Sequence, residues 1–108
     1  MDYSKDFKHV HFIGIGGIGM SAVAEVMLER GFVISGSDLN ESDQVQMLRS
    51  RGATIHVPQR AENITDDIDI VVRSTAIREN NVEYQTAAAK GIPVVHRSEM
   101  LGYLMQQQ

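Results

Sequence analysis

The 108-residue chain contains no cysteine. Disulfides, thiol catalysis and cysteine–zinc sites are therefore excluded. It also lacks a surplus of positive charge. Ten Lys and Arg stand against fourteen Asp and Glu, giving a net charge of -4. A general nucleic-acid binder carries a basic field, so no nucleic-acid partner is expected. No apolar run reaches membrane-span length, and the polar start Met1-Asp2-Tyr3-Ser4-Lys5-Asp6 leads into no signal-type core. A soluble, cytoplasmic protein with no membrane partner follows as the expectation. No serine sits in a nucleophile elbow and no G-x-x-x-x-G-K-[ST] loop occurs. The chain thus has no visible means of holding a triphosphate, and no catalytic group stands out. What remains is a composition of 43% hydrophobic and 22% charged residues, suited to one globular domain.

The most specific stretch is Gly14-Ile15-Gly16-Gly17-Ile18-Gly19, between the apolar run Val10-His11-Phe12-Ile13 and the helical pattern from Met20 to Arg30. Strand, glycine turn and helix in this order match a dinucleotide fingerprint at Gly14, Gly16 and Gly19. The first glycine permits a tight turn and the second lets backbone approach a pyrophosphate. The third lets helix and strand pack closely. The helix would then direct free N–H groups and its positive dipole end at an anion.

Along the chain, a loose polar lead-in is expected over residues 1–8, then a strand at His9–Ile13. A helix follows over Gly19–Arg30, with Met20, Val23, Ala24, Met27 and Leu28 as its buried stripe. Further strands are expected at Phe32–Ser35, Ala53–Val57, Asp69–Arg73 and Ile92–Val95. Further helices are expected from Ser42 or Asp43 to Arg51, over Asn81–Lys90, and from near Ser98. The last carries Met100, Leu101, Leu104 and Met105 as its stripe, and a short helical turn covers Ala61–Ile64. Alternating short apolar strands and helices predict an α/β, Rossmann-like open parallel five-stranded sheet of order 3-2-1-4-5, with helices on both faces.

Ligands of such sheets bind beyond the carboxyl ends of the strands. Three segments converge there: the glycine loop, Ser37-Asp38 after strand two, and Ser74-Thr75-Ala76 after strand four. Asp38 lies near the interval expected for a ribose-binding acid, and with the fingerprint upstream that reading is favoured over a residue that only caps a turn after Gly36. His9 and His11 share a strand face as a possible metal pair, but no third ligand stands at suitable spacing. A hydrogen-bonding role is therefore expected, and no metal site. On these residues alone NADH fits as well as any other nucleotide. The NAD-binding half of a dehydrogenase and a nucleotide-sensing regulatory module both remain open.

The run His11-Phe12-Ile13-Gly14-Ile15-Gly16-Gly17-Ile18-Gly19-Met20 resembles the opening of the Mur ligases, in the branch that joins L-alanine to UDP-N-acetylmuramate. The resemblance continues through Ala24-Glu25-Val26, Gly36-Ser37-Asp38, Gly52-Ala53, Glu62-Asn63, Ser74-Thr75-Ala76-Ile77 and Arg97-Ser98-Glu99-Met100-Leu101, covering the chain from about His9 onward. It implies that residues 1–108 form the first of three domains, the one that holds the UDP part of UDP-N-acetylmuramate in a bacterial cytoplasm. Central and C-terminal domains would be the partners within the same chain. ATP and Mg2+ would be held there, with no cofactor in this fragment. The backbone of Gly16, Gly17, Ile18 and Gly19 would cradle the diphosphate, with Met20 beside it. Ser37 and Asp38 would face uridine, and Ser74, Thr75 and Ala76 would close the other side. Where family members often carry histidine, four residues before the asparagine matched by Asn63, this chain has Gln59. A related ligase that recycles a muramyl tripeptide shares the same domain plan.

Overall fold

In the computed structural model, which describes residues 7–106, strand β1 (His9–Ile13) lies at the centre of a parallel sheet. It pairs with β2 (Val33–Ser37) on one side and β4 (Ile70–Arg73) on the other. β3 (Thr54–His56) lies outside β2, and β5 (Val94–His96) lies outside β4. The order is β3-β2-β1-β4-β5, as the strand–helix alternation predicts. Most of the lead-in expected over residues 1–8 lies outside the described residues.

The pleat sends alternate residues of β1 to opposite faces. Val10 and Phe12 join Ile34, Ile55, Ile70, Val72 and Val95 in the larger core cluster. Helices α1 (Ile18–Glu29), α2 (Asp43–Ser50) and α4 (Arg97–Gln106) cover that side. Ile13 and Val71 face the other side, where Ala87 of α3 (Val82–Ala89) and Ile64 and Ile68 complete a smaller cluster. A single 3-10 turn, Ala61–Asn63, packs beside α3. Helices therefore lie on both faces, as expected.

Two of the helix starts are capped by a side chain. Ser42 caps α2 by accepting from the Val45 amide at 3.2 Å. Asn81 caps α3 by accepting from the Glu83 and Tyr84 amides. α1 starts one residue earlier than its apolar stripe suggests, with Gly17 as its cap and no side-chain hydrogen bond there. α4 follows β5 with no intervening loop, beginning at Arg97 rather than near Ser98. Its stripe is also narrower than expected. Met100 and Leu104 are buried, but Leu101 is 41% and Met105 64% exposed. β5 starts at Val94, two residues later than the apolar run begins.

Candidate functional site

Four of the five strands deliver a segment to one edge of the sheet. The glycine loop follows β1, Asp38 follows β2, residues 74–77 follow β4, and Arg97 follows β5. Gly14 turns the chain at φ +79°, and its amide and that of Ile15 both donate to the Ser37 carbonyl at 2.9 Å. The loop is thereby tied to the end of β2. The Gly17 amide donates to the Gly14 carbonyl at 3.2 Å, closing the turn. The Gly16 amide donates to Asp38 Oδ2 at 2.7 Å.

Those bonds change where an anion cradle can come from. The amides of Gly16 and Gly17 are engaged within the loop. The next three, of Ile18, Gly19 and Met20, have no acceptor among the described residues, because Ser21 is the first to donate back, to Gly17. A first turn of helix leaves such N–H groups unsatisfied. Here neither a capping side chain nor an acidic residue answers them. They form a donor cluster with the dipole's positive end behind it. Met20 contributes only backbone, since its side chain is in the core at 2% exposure.

The glycines in the loop are also a matter of space. A Cβ on Gly16 would stand 2.7 Å from Asp38 Oδ2 and 2.9 Å from Ser42 Oγ. A Cβ on Gly19 would stand 3.1 Å from Arg97 Nε. The Arg97 guanidinium thus lies over the start of α1, where it adds positive charge beside the free amides.

Asp38 caps the turn after β2 and also reaches the glycine loop. Oδ1 accepts from the Leu39 amide at 2.8 Å and faces that of Asn40 at 3.4 Å, which caps the turn. Oδ2 meanwhile reaches the glycine loop. Ser37 departs from expectation. It is fully buried, and its hydroxyl donates to Glu83 Oε1 at 2.7 Å, on the far side of the sheet from Gly36. The period of two along β2 turns its side chain inward, so it meets the loop only through its carbonyl.

The segment after β4 packs against the loop, with Ile77 Cδ1 3.5 Å from where a Gly14 Cβ would be. Ser74 turns its carbonyl to the Ile77 amide, and Ala76 is exposed. Thr75 is held by His96, whose Nε2 lies 2.7 Å from Thr75 Oγ1. The Ser98 amide, which can only donate, points at His96 Nδ1 at 3.0 Å. His96 Nδ1 is therefore the acceptor, and Nε2 carries the proton given to Thr75. The Thr75 hydroxyl hydrogen is left free to donate to a ligand. A hollow of ≈ 490 Å³ opens beside it, lined by Arg73, Thr75, Ile77, Arg78, Glu79 and Asn80.

Behind this edge, Glu83 is completely buried on the α3 side of the sheet. Burial favours the neutral acid, but hydrogen bonds from His11, Asn63 and Ser37 and the nearby His11 ring outweigh it and hold its carboxyl below the usual range. The Arg60 amide adds a fourth donor at 3.0 Å. Sequence reasoning gave Glu83, His96 and Arg97 no role. A signal for Glu83 lay in the paired alternations His9-x-His11 and Ser35-x-Ser37, which place a polar seam on one face. Arg97 opened a matched run without being assigned anything. Gln59 accepts from Asn81 Nδ2 at 2.8 Å, which ties the loop after β3 to the start of α3. Among the described residues no group of three or more His, Asp or Glu is placed to hold a metal, and no helix is long and apolar enough to cross a membrane.

A family model described as Mur ligase family, catalytic domain, matches residues 9–108. A UDP-N-acetylmuramate–L-alanine ligase of Lachnoclostridium phytofermentans is 50% identical over 107 residues, covering 99% of this chain and 23% of the relative. The protein of that name from Ruegeria is 52% identical over 101 residues, 94% of this chain and 21% of the relative. The crystal structure of UDP-N-acetylmuramate–alanine ligase from Thermotoga maritima matches with TM-score 0.88 at 35% identity, over 94% of this chain and 23% of that one. The chain thus spans less than a quarter of the length of these relatives. Shikimate dehydrogenase from Aquifex aeolicus, at 15% identity and TM-score 0.56, shares the fold alone. With its glycine loop, its sheet order and almost its whole length matched, the chain belongs to the Mur ligase family.

Proposed function

We propose that this chain is the part of an ATP-dependent amide-forming ligase that holds the UDP portion of UDP-N-acetylmuramate while L-alanine is joined to it, a step of peptidoglycan precursor synthesis in the bacterial cytoplasm. The observation that carries this reading is the unanswered amide cluster of Ile18, Gly19 and Met20 at the uncapped start of α1, in a chain about half identical to ligases of that name. A diphosphate fits the cluster by charge and by backbone access. Gly16 and Gly17 would let it approach. Asp38 would accept from ribose hydroxyls, and Thr75, with Ser74 and Ala76 around it, would donate from the opposite side.

No step of the reaction is assigned to these residues. The sequence has no G-x-x-x-x-G-K-[ST] loop, so ATP and Mg2+ would be bound by central and C-terminal parts of the parent protein. This chain would act by binding and orienting its substrate.

Amide NMR during titration with UDP-N-acetylmuramate, and separately with NADH, tests the reading. The UDP-sugar is expected to shift Gly16–Met20, Asp38 and residues 74–76. Perturbation of Gly14–Gly19 by NADH alone would sink it and restore the dehydrogenase alternative.

A further inference from the structure

A hydrogen-bonded chain crosses the α3 side of the sheet from the surface to the end of β2. Asp67 Oδ2 faces His9 Nδ1 at 3.1 Å. His9 Nε2 lies 2.7 Å from Ser35 Oγ, and the same Oγ lies 2.8 Å from His11 Nδ1. His11 Nε2 lies 2.7 Å from Glu83 Oε1. Four links join five side chains, and each link needs one hydrogen.

Counting those hydrogens decides the charge of the chain. Glu83 supplies none, because its other partners, the Ser37 hydroxyl, the Asn63 amide and the Arg60 N–H, all donate to it. It is a carboxylate and acceptor only. Asp67 lies at the exposed end, where Thr65 Oγ1 donates to its second oxygen, and its carboxyl is held below the usual range by Thr65 first and by His9 as well. It too is an acceptor only. Ser35 has one hydrogen to give. The remaining three must sit on the ring nitrogens of His9 and His11. Two neutral imidazoles carry only two.

We infer that the chain Asp67–His9–Ser35–His11–Glu83 carries one proton more than two neutral imidazoles hold, shared between the rings through Ser35. The link to the loop is direct. Glu83 Oε1 receives both His11 and the Ser37 hydroxyl, and the Ser37 carbonyl receives the Gly14 and Ile15 amides. Glu83, His11 and Ser35 are thus positioning residues. Their relevance to a nucleotide rests on the function proposed above, whereas the proton count does not.

The other charged and titratable groups facing the chain are few. Asp69 accepts from the backbone amides of Lys8 and His9. β4 offers apolar Val71 opposite His11. From β3, His56 is paired with Ser37 in register and is exposed.

The exposed end provides a clean variant. In Asp67→Asn the new amide nitrogen would donate to His9 Nδ1 while the amide oxygen kept the Thr65 bond. Every link would then be satisfied with both rings neutral. Long-range 1H–15N spectra of the histidines at about pH 7 are expected to show three protonated nitrogens of four on His9 and His11. Asp67→Asn is expected to show two. A wild-type count of two, or a count of three in the variant, would each overturn the inference. UDP-N-acetylmuramate titration separates the two ideas. Binding with a count of two overturns the shared proton and leaves the function. A count of three with no binding overturns the function and leaves the shared proton.

Discussion

The Asp38 carboxylate and the Gly16 amide meet at 2.7 Å across the gap between β2 and the glycine loop. The contact joins the residue proposed to bind a ribose to the loop proposed to bind a phosphate. It also completes the turn after β2, through the Leu39 amide on the other oxygen.

Asp38→Ala would leave the Gly16 and Leu39 amides without this partner. A partly buried bond of this kind to a charged group contributes about 1.5–3 kcal/mol. Urea denaturation should register that loss, and UDP-N-acetylmuramate affinity should fall about tenfold or more. Stability lost without loss of affinity would assign Asp38 to the turn alone.

Gly36 has no room for a side chain. A Cβ there would stand 2.7 Å from Ile15 Cδ1, 2.9 Å from Ile15 Cβ and 2.9 Å from the Phe12 carbonyl oxygen. Gly36→Ala must move the loop or the strand, at an overpacking cost of about 1–3 kcal/mol. A melting temperature unchanged from wild type would refute the close approach.

Glu83→Ala would strand the donors of His11, Ser37, Asn63 and the Arg60 amide in a buried space. Removing one partner of such a set costs about 3–5 kcal/mol. Chemical denaturation should show the loss directly. Asn63→Ala removes one exposed-side donor and should cost much less.

Acid sensitivity follows from the carboxylates held below their ordinary values. Among them are Glu83, through the bonds that outweigh its burial, and Asp69, through the His9 and Lys8 backbone amides. A depressed folded value means that the stabilisation is present above the unfolded carboxylate range and is lost as pH falls through the lower folded values. Unfolding free energy should therefore drop on acidification below about pH 4.5. Asp69→Asn should flatten part of that limb in a pH series of urea titrations, while an unchanged limb would count against its bonds to His9 and Lys8.

On α4, Leu101→Gln and Met105→Gln should change stability by less than about 0.5 kcal/mol, because both side chains are exposed. Leu104→Gln buries an amide without a partner and should be severely destabilising. Thermal melts of the three variants would show whether the burial stripe is as narrow as the structure has it.

The contrast on α4 shows where sequence patterning stops being informative. The 3.6-residue period locates a helix, yet which part of an apolar stripe is covered depends on how many neighbours arrive. Here α1 reaches Met100 and Leu104 and leaves Leu101 open to a groove. The glycine loop was legible because its requirements are local: a positive φ at Gly14, a close approach at Gly16 and a helix start at Gly17. The sheet order was legible for a similar reason, since each apolar strand alternates with a helix. Glu83 was not, because nothing in Val82-Glu83-Tyr84 distinguishes it from a solvated helical carboxylate. Its burial arises only once α3 crosses a polar seam made by β1 and β2. Ser37 was placed near the right edge but on the wrong face, as a period-two count from buried Ser35 would have told.

Gly17 carries a further consequence. Its φ of -62° suits any residue, and a Cβ would find its nearest neighbour at an ordinary 3.5 Å. Serine or aspartate would fit there and would answer the amides that α1 leaves open, adding about a few tenths of a kcal/mol to the protein without ligand. The same side chain would then compete with a bound anion. α1 is in this sense a helix with its first turn unfinished, and the molecule that binds there would complete it. The protein should melt higher with its ligand than without, and Gly17→Asp should raise the first temperature less than the second.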